Sequence, residues 1–154
     1  MEYKNENELD IAFKATFSQG FFATVTFGTY LVFTPILFRL IEMSESEFAL
    51  GFVLFGLFNV ITNQLTTRFL LPKIGSTNCL ILARLMYAFI PFLIFYNSSY
   101  SIYIFLSIFW GITIGIQAPN IFTQVAIIEE KTKKILNPIF KSSFSLGFIV
   151  GGGI

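Results

Sequence analysis

Long apolar stretches recur along the 154 residues of this chain, and they constrain its fold more than any other feature. A helix needs about 20 mainly apolar residues to cross the hydrocarbon core of a bilayer. Such stretches occur at residues 15–37, 48–65, 79–96 and 101–128, and an incomplete fifth one runs from 139 to 154. The sequence therefore predicts an all-α membrane protein, a polytopic transmembrane helix bundle. Its transmembrane domain spans 15–154 and follows a polar segment at 1–14.

Composition supports lipid as the surroundings and excludes several functions. Apolar residues make up 55% of the chain and charged residues 12%, too few to cover a soluble domain. With no histidine and one cysteine, Cys79, His-based catalysis, His-ligated metal sites and an internal disulfide are excluded. A membrane-embedded enzyme is disfavoured, because no Cys cluster or intramembrane carboxylate pair is present. We expect the lipid bilayer as a partner, and no cofactor, metal or nucleic acid.

The distribution of positive charge predicts the orientation. The acidic start lacks the basic flank and cleavage site of a secretory signal, so the first span is expected to be retained. With the N-terminus inside, Arg39 alone lies outside, Arg84 lies within the third span, and the remaining eight of the ten Lys and Arg are cytoplasmic. These eight are Lys4, Lys14, Arg68, Lys73, Lys131, Lys133, Lys134 and Lys141. The expected location is a cell membrane, in particular a bacterial inner membrane, with the N-terminal segment cytoplasmic.

Polar residues inside the fourth span recur on one helical face. They follow steps of four, three and four residues, with a proline in the same stripe: Thr113, Gln117, Asn120 and Gln124, with Pro119. Polar groups in hydrocarbon usually face a bundle interior or a water-filled path. The stripe favours a helix that lines a polar cavity. The alternative is hydrogen bonding between helices, worth only about 0.6 kcal/mol per contact.

Spans one and two carry similar patterns. In span one Gly20, Thr24 and Gly28 form a small-residue surface for close helix packing, whereas a second stripe, of Gln19, Thr26 and Tyr30, is a candidate for solute contact or packing. In span two Asn59, Thr62, Asn63 and Thr66 share a face, with Gln64 beside it. Carboxamides there can bind a hydroxyl-rich ligand or connect helices at a cytoplasmic gate. Their position in the inner half of the span favours the gate or packing.

Two further features concern charge and glycine. Arg84 is the one charge deep within a span, and we expect its side chain to reach back to the interface rather than to bind a solute. Span five contains Gly147 and Gly151, four residues apart, followed by Gly152 and Gly153. Glycine this dense weakens an isolated helix, so it predicts a close-packing partner helix, which this chain need not itself contain.

Several segments together resemble a known family. They are Gly20-Phe21-Phe22 with Pro35, the run from Asn63-Gln64 through Arg68 to Ile74-Gly75-Ser76, and Gln124, Glu129 and Asn137-Pro138-Ile139-Phe140-Lys141 followed by Ser145-Leu146-Gly147. This pattern resembles the N-terminal half of major facilitator superfamily transporters, in particular the fucose-permease-like sugar transporters. The sequence departs from the family's pattern in having no aspartate between spans two and three and no histidine near Lys141.

The resemblance implies twelve helices in two halves built from inverted repeats, with the solute near the midplane and helices one and four lining its cavity. It implies that the chain ends within helix five and that the remaining helices of the transporter are its partners. The candidate gate or packing residues are Asn59, Asn63, Gln64, Arg68, Gly75, Arg84 and Glu129. The expected function is alternating-access transport of a small polar solute such as a sugar. The alternative is a non-transporting membrane scaffold or an inactive fragment.

Overall fold

The computed structural model describes residues 6–153 and is built of helices. Their bounds are α1, Glu6–Ile41; α2, Glu45–Leu65; a π-helical segment, Thr66–Leu70; α3, Leu71–Tyr87; α4, Ile90–Phe95; α5, Tyr100–Thr132; and α6, Asn137–Gly152. No β-strand occurs within 6–153, so the predicted all-α class is confirmed. Glu2, Lys4 and Ile154, on which parts of the prediction rest, lie outside the described residues.

Three helical stretches within 6–153 are long and apolar enough to cross a membrane: Glu6–Ile41, Glu45–Ile94 and Tyr100–Thr132. A membrane location therefore agrees with the structure. The second stretch has 50 residues and includes two of the predicted spans. A continuous helix of that length would measure about 75 Å, more than twice the thickness of a hydrocarbon core.

This second stretch turns back on itself at Gly75. Its backbone there has φ 75° and ψ 161°, a conformation that essentially only glycine adopts. Contacts with α5 show the reversal. Before the turn, Phe48 lies against Tyr103, Phe55 against Gly111 and Asn59 against Gly115. After the turn, Thr77 lies against Gln124 and Tyr87 against Trp110. Residue numbers rise together in the first set and oppose each other in the second. Hence α2 runs parallel to α5, and α3 runs antiparallel to it.

Proline modifies the helices on both sides of this turn. Before α3, the Leu71 N–H bonds the Thr66 carbonyl five residues back, next to Pro72, which has no N–H to donate. The predicted span at 79–96 is interrupted between Tyr87 and Ile90, beside Pro91. A proline inside a helix leaves one carbonyl without its normal partner. The third predicted span is thus two helices, α3 and α4.

A second parallel pair joins α1 and α6. Gly147 lies against Thr24, and Gly151 lies against the Val25 carbonyl so closely that no side chain fits between them. On the facing side, a Cβ at Gly28 would come within 3.0 Å of the Phe148 carbonyl oxygen. The close-packing surface predicted for span one is confirmed. The partner predicted for the glycines of span five lies within this chain and is α1.

Because the helix directions alternate, most positive charges lie at one end of the bundle, which we call the charged end. It contains the start of α1, the Gly75 turn and the connection from α5 to α6, and its described cations are Lys14, Arg68, Lys73, Lys131, Lys133, Lys134 and Lys141. Arg39 lies at the opposite end. Two boundaries differ from the prediction, because α1 already begins at Glu6 and α5 extends to Thr132. Between α5 and α6 only residues 133–136 remain as a short link.

Candidate functional site

The polar stripe of α5 lies in the interior of the bundle. Thr113 and Asn120 are fully buried, and Gln117 and Gln124 are 3% and 4% exposed. Thr113 donates from Oγ1 to the Phe109 carbonyl at 2.8 Å, and Asn120 donates from Nδ2 to the Ile116 carbonyl at 2.7 Å. These two side chains therefore bond within their own helix, whereas the two glutamines line cavities.

Gln117 lines a cavity of about 220 Å³ at the middle of the bundle, which we call the central cavity. Five helices contribute to its wall, and most of the wall is aromatic: Phe27, Phe55, Tyr87, Trp110, Phe144 and Phe148 are among its residues. Within the described residues, Gln117 Oε1 is buried and has no hydrogen-bond partner. The central cavity thus has an apolar wall, and the Gln117 acceptor is buried rather than exposed to it.

Gln124 lines two cavities at the charged end. The larger, about 410 Å³, lies between α1, α3 and α5 and is called the end cavity; the other, about 240 Å³, lies at the Gly75 turn. Gln124 donates from Nε2 to the hydroxyls of Ser76 at 2.6 Å and Thr77 at 3.2 Å. The stripe of α5 therefore has one amide at the central cavity and another at two cavities of the charged end.

The candidates of α1 separate in the structure. Gln19 lines the end cavity together with Gln124, and its Nε2 donates to the Leu80 carbonyl of α3 at 3.3 Å. Thr26 donates to the carbonyl of Phe22 in its own helix at 3.1 Å. Tyr30 is buried against Trp110, with ring centroids 5.0 Å apart. Only Gln19 of this stripe reaches a cavity shared with the amides of α5.

The candidates of α2 face α5 or the outside. The glycines of α5 pack on the backbone of Asn59 and Asn63, where a Cβ at Gly115 would come within 2.7 Å of the Asn59 carbonyl oxygen. Gln64 is exposed. Arg68 is also exposed, with its guanidinium 5.5 Å from the centre of the Phe69 ring. These positions describe packing of α2 on α5; whether they form a gate stays a prediction.

Arg84 and Glu129 have identifiable contacts. The Arg84 guanidinium lies 5.5 Å from the centre of the Phe22 ring, beside the end cavity, and it makes no ion pair with any described carboxylate. Glu129 Oε1 accepts hydrogen bonds from the Leu136 and Asn137 N–H groups, both at 2.7 Å. Glu129 therefore holds the first turn of α6. No group of three potential metal-ligating side chains occurs within 6–153.

Sequence reasoning missed Trp110 as part of the site. It is the only tryptophan of the chain and lies seven residues before Gln117, which places both on one face of α5. Four rings surround it at centroid distances of 5.0 to 6.4 Å: those of Tyr30, Phe27, Phe55 and Tyr87. Its position two helical turns from Gln117 was the available signal. Ser76 and Thr77 carried none, because they are 48 and 47 residues from Gln124.

Together these observations define a class: an all-α chain with candidate membrane-crossing helices and buried amides beside internal cavities. Comparison with known proteins extends this no further, since no family profile, curated protein or solved structure matches the chain.

Proposed function

We propose that this chain forms part of a transporter that moves a small polar solute, such as a sugar, across a membrane by alternating access. The supporting observation is the line of buried amides on α5. Gln117 lies at the central cavity, and Gln124 lies at two cavities of the charged end. Polar groups buried at membrane depth are costly, and they commonly mark a solute path.

The proposal includes the resemblance to the N-terminal half of major facilitator superfamily transporters. Two features of the fold support that part of it. Helix directions alternate along the chain, and the α1–α6 and α2–α5 pairs are both parallel and lined by glycine. An inverted three-helix repeat would relate these two pairs to each other, since α1 would correspond to α5 and α2 to α6. The cell membrane and the cytoplasmic N-terminus belong to the same proposal.

A non-transporting scaffold is the second candidate. It is favoured by two residues of the α5 stripe that form hydrogen bonds within their own helix. Thr113 and Asn120 each donate a hydrogen bond to a carbonyl of their own helix, so these donor groups are not available to a solute. The two candidates differ in the coding sequence that they require downstream of Ile154. A transporter of the proposed kind requires about seven further apolar spans there. A reading frame that ends without them would favour the scaffold.

Uptake measurements on the protein made from its complete gene test the transport proposal. Cells or proteoliposomes would be screened with labelled sugars and other small polar solutes, and the variants Gln117→Ala and Gln124→Ala compared with the parent. Loss of one solute hydrogen bond should lower uptake at limiting solute by about fivefold, at unchanged protein level in the membrane. Thr29→Val serves as control, because Thr29 bonds only the Val25 carbonyl of its own helix in the described structure.

Two results would count against the proposal. Unchanged uptake in both α5 variants would remove this helix from the solute path. A parent protein that is well inserted in the membrane but takes up none of the solutes would leave the scaffold as the better explanation.

A further inference from the structure

A cavity of about 490 Å³ lies between the start of α1 and the end of α5, and we call it the interface cavity. It is lined by one face of α1, on which Glu6, Leu9, Asp10 and Phe13 follow helical spacing. None of its described lining residues also lines the central cavity, the end cavity or the cavity at the Gly75 turn. The interface cavity is therefore separate from the proposed solute path.

The interface cavity lies where two helices leave the predicted spans. The first predicted span begins at residue 15 and the fourth ends at residue 128, whereas the cavity is lined by residues from 6 to 13 and from 128 to 136. Residues 6–13 precede the first span by about 3–14 Å along the helix axis. The headgroup layer of a bilayer is about 5–8 Å deep on each side. In a membrane the cavity would thus lie at the level of the lipid headgroups.

The wall of the interface cavity carries both signs of charge. Glu6 and Asp10 come from α1, and Lys131 and Lys134 come from the end of α5 and the link to α6. All four residues are exposed, so a ligand can reach their charged groups. Asp10 is paired with Lys14 at 2.6 Å, whereas neither Glu6 nor Lys134 forms an ion pair with another residue of 6–153. One carboxylate and one ammonium group are therefore available in the same cavity.

The backbone of the link fixes the position of Lys134. Glu129 Oε1 accepts hydrogen bonds from the Leu136 and Asn137 N–H groups, and the Lys134 N–H donates to the Thr132 hydroxyl at 3.4 Å. A segment that is already ordered loses less conformational entropy when a ligand binds. The cation is thus held by a defined backbone at the edge of the cavity.

The remaining wall of the cavity is apolar and contains Leu9, Phe13, Ile128 and Leu136. The volume is in the range of about 300–1,000 Å³ that is usual for small-ligand sites. A ligand that matches this wall has an anionic group, a cationic group and an apolar part. A phospholipid with a primary amine has all three, in its phosphate, its ammonium group and its acyl chains.

The carboxylate distinguishes this lipid from other phospholipids. A primary ammonium group donates charge-assisted hydrogen bonds to a carboxylate, and these are stronger than neutral ones. The fully methylated ammonium of phosphatidylcholine has the same charge but no N–H to donate. Phosphatidylglycerol has no amine, so it would leave Glu6 without a partner.

We propose that the interface cavity binds the headgroup of a phospholipid with a primary amine, with the phosphate at Lys134 and the ammonium group at Glu6. The proposal goes beyond the transport function. It requires that the chain lies in a membrane, and it holds whether or not the protein moves a solute.

Quenching by spin-labelled lipids measures this binding. In a Cys79→Ala background, Ile135→Cys places a bimane fluorophore in the link, at a residue that is 82% exposed and does not line the cavity. The protein would be kept in micelles of an uncharged maltoside detergent and titrated with phospholipids that carry a nitroxide near the carbonyl end of one acyl chain. Ser98→Cys, exposed at the opposite end of the bundle, reports quenching by lipid that is not bound at the site.

We expect saturable quenching at Ile135→Cys. Phosphatidylethanolamine should reach half-maximal quenching at about threefold lower mole fraction than phosphatidylcholine or phosphatidylglycerol. The factor is small because exposed charge pairs contribute little each.

Two pairs of variants locate the site. Glu6→Gln should remove the preference for phosphatidylethanolamine over phosphatidylcholine. Lys134→Gln should weaken the binding of both lipids about threefold, because both carry the phosphate. Glu130→Gln and Lys133→Gln are the matched controls, since both residues are exposed and neither lines the cavity, and they should leave both lipids unaffected. Thermal unfolding shows that each variant is folded.

Equal binding of phosphatidylethanolamine and phosphatidylcholine by the labelled parent would overturn the proposal. Tighter binding of phosphatidylglycerol than of phosphatidylethanolamine would also overturn it, because a basic surface that attracts any anionic lipid would explain that result. The same holds if Glu130→Gln removes the preference as fully as Glu6→Gln. None of these results bears on uptake by the complete transporter, so failure of this proposal and failure of the transport proposal are distinguishable.

Discussion

At the scale of single residues, buried amides of α5 differ in how their hydrogen-bonding groups are satisfied. Gln124 is held by two hydroxyls from the start of α3, and Asn120 donates to its own helix but leaves Oδ1 without a partner in the described structure. Gln117 lines the central cavity, and its buried Oε1 has no hydrogen-bond partner in the described structure. Leaving a buried acceptor unpaired costs more than pairing it gains, so Gln117 and Asn120 each carry a cost of burial that no described partner offsets.

A polar contact of a different kind starts α2, where Ser44 and Glu47 form a capping box. The Glu47 carboxylate accepts hydrogen bonds from the Ser44 N–H and hydroxyl, both at 2.8 Å. These bonds to the charged form lower the pKa of the Glu47 carboxyl below its usual value. Since the folded pKa is depressed, the stabilisation is complete above the unfolded pKa of about 4.3. It is lost as the pH falls through the folded pKa.

We predict that Ser44→Ala loosens the first turn of α2 and weakens its acid dependence. The variant removes the side chain that accepts from the Glu47 N–H and donates to its carboxylate, so backbone amide exchange at Glu47 and Phe48 should become about fivefold faster near neutral pH. Hydrogen exchange followed by mass spectrometry or NMR measures this. Ser98→Ala, at an exposed position outside any helix, is the control. Equal exchange in Ser44→Ala and the parent would contradict the assignment of the cap.

At the scale of elements, glycines determine how closely the helices approach. In lipid there is no hydrophobic gain from pairing apolar faces, so association depends on close packing and hydrogen bonds. Gly111 and Gly115 let α5 lie on the backbone of α2, and Gly147 and Gly151 let α6 lie on α1. The cost of adding a methyl group therefore depends on which face of the helix carries it.

Gly111→Ala and Gly56→Ala should change stability in opposite directions. A Cβ at Gly111 would come within 2.4 Å of the Phe55 carbonyl oxygen, whereas one at Gly56 would meet no described atom within 4 Å. We expect Gly111→Ala to cost about 1–3 kcal/mol, because the two backbones must separate. Gly56→Ala should gain about 0.5–1 kcal/mol, because alanine loses less backbone entropy in a helix.

Equilibrium unfolding in mixed micelles measures both changes. Cys79, fully buried between α3 and α5, offers a second readout through its rate of reaction with a maleimide. Faster reaction is expected in Gly111→Ala and not in Gly56→Ala. If both variants were stabilised, the close contact of α2 with α5 would be wrong.

The sequence predicts which residues share a helix face, but not which helices pack together. Periodicity predicted the small-residue face of α1, which is confirmed, because helical spacing alone fixes which residues share a face. The polar stripe of α5 is buried, and its role in lining a polar cavity stays a prediction. The partners of those faces could not be predicted. Apolar helices in lipid offer many equivalent contacts, and α6 is separated from α1 by four other helices in the chain. A reversal between the spans at 48–65 and 79–96 was predicted, but the left-handed backbone of Gly75 was not, because a glycine alone does not reveal a positive φ.

At the scale of the whole molecule, alternating helix directions separate the two ends by charge. Lys73, Lys131, Lys133 and Lys134 lie at the charged end, and Arg39 lies at the other. The end cavity opens at the charged end, where Gln19, Gln124 and Arg84 line it. The central cavity lies deeper, among aromatic rings. Cavities thus lie at the charged end and deeper in the bundle, and the amides Gln124 and Gln117 line one of each.

This separation of charge predicts which end faces the cytoplasm. Positively charged loops are retained inside during insertion, so the charged end should be cytoplasmic and the α4–α5 connection external. In a Cys79→Ala background, Ser98→Cys at that connection should react with an impermeant maleimide in intact cells. Lys133→Cys, in the α5–α6 link, should react only after permeabilisation. Both positions are exposed in the structure, so protection of one reports the membrane barrier and not burial. If only Lys133→Cys were labelled in intact cells, the bundle would have the opposite orientation, and the end cavity would open to the outside.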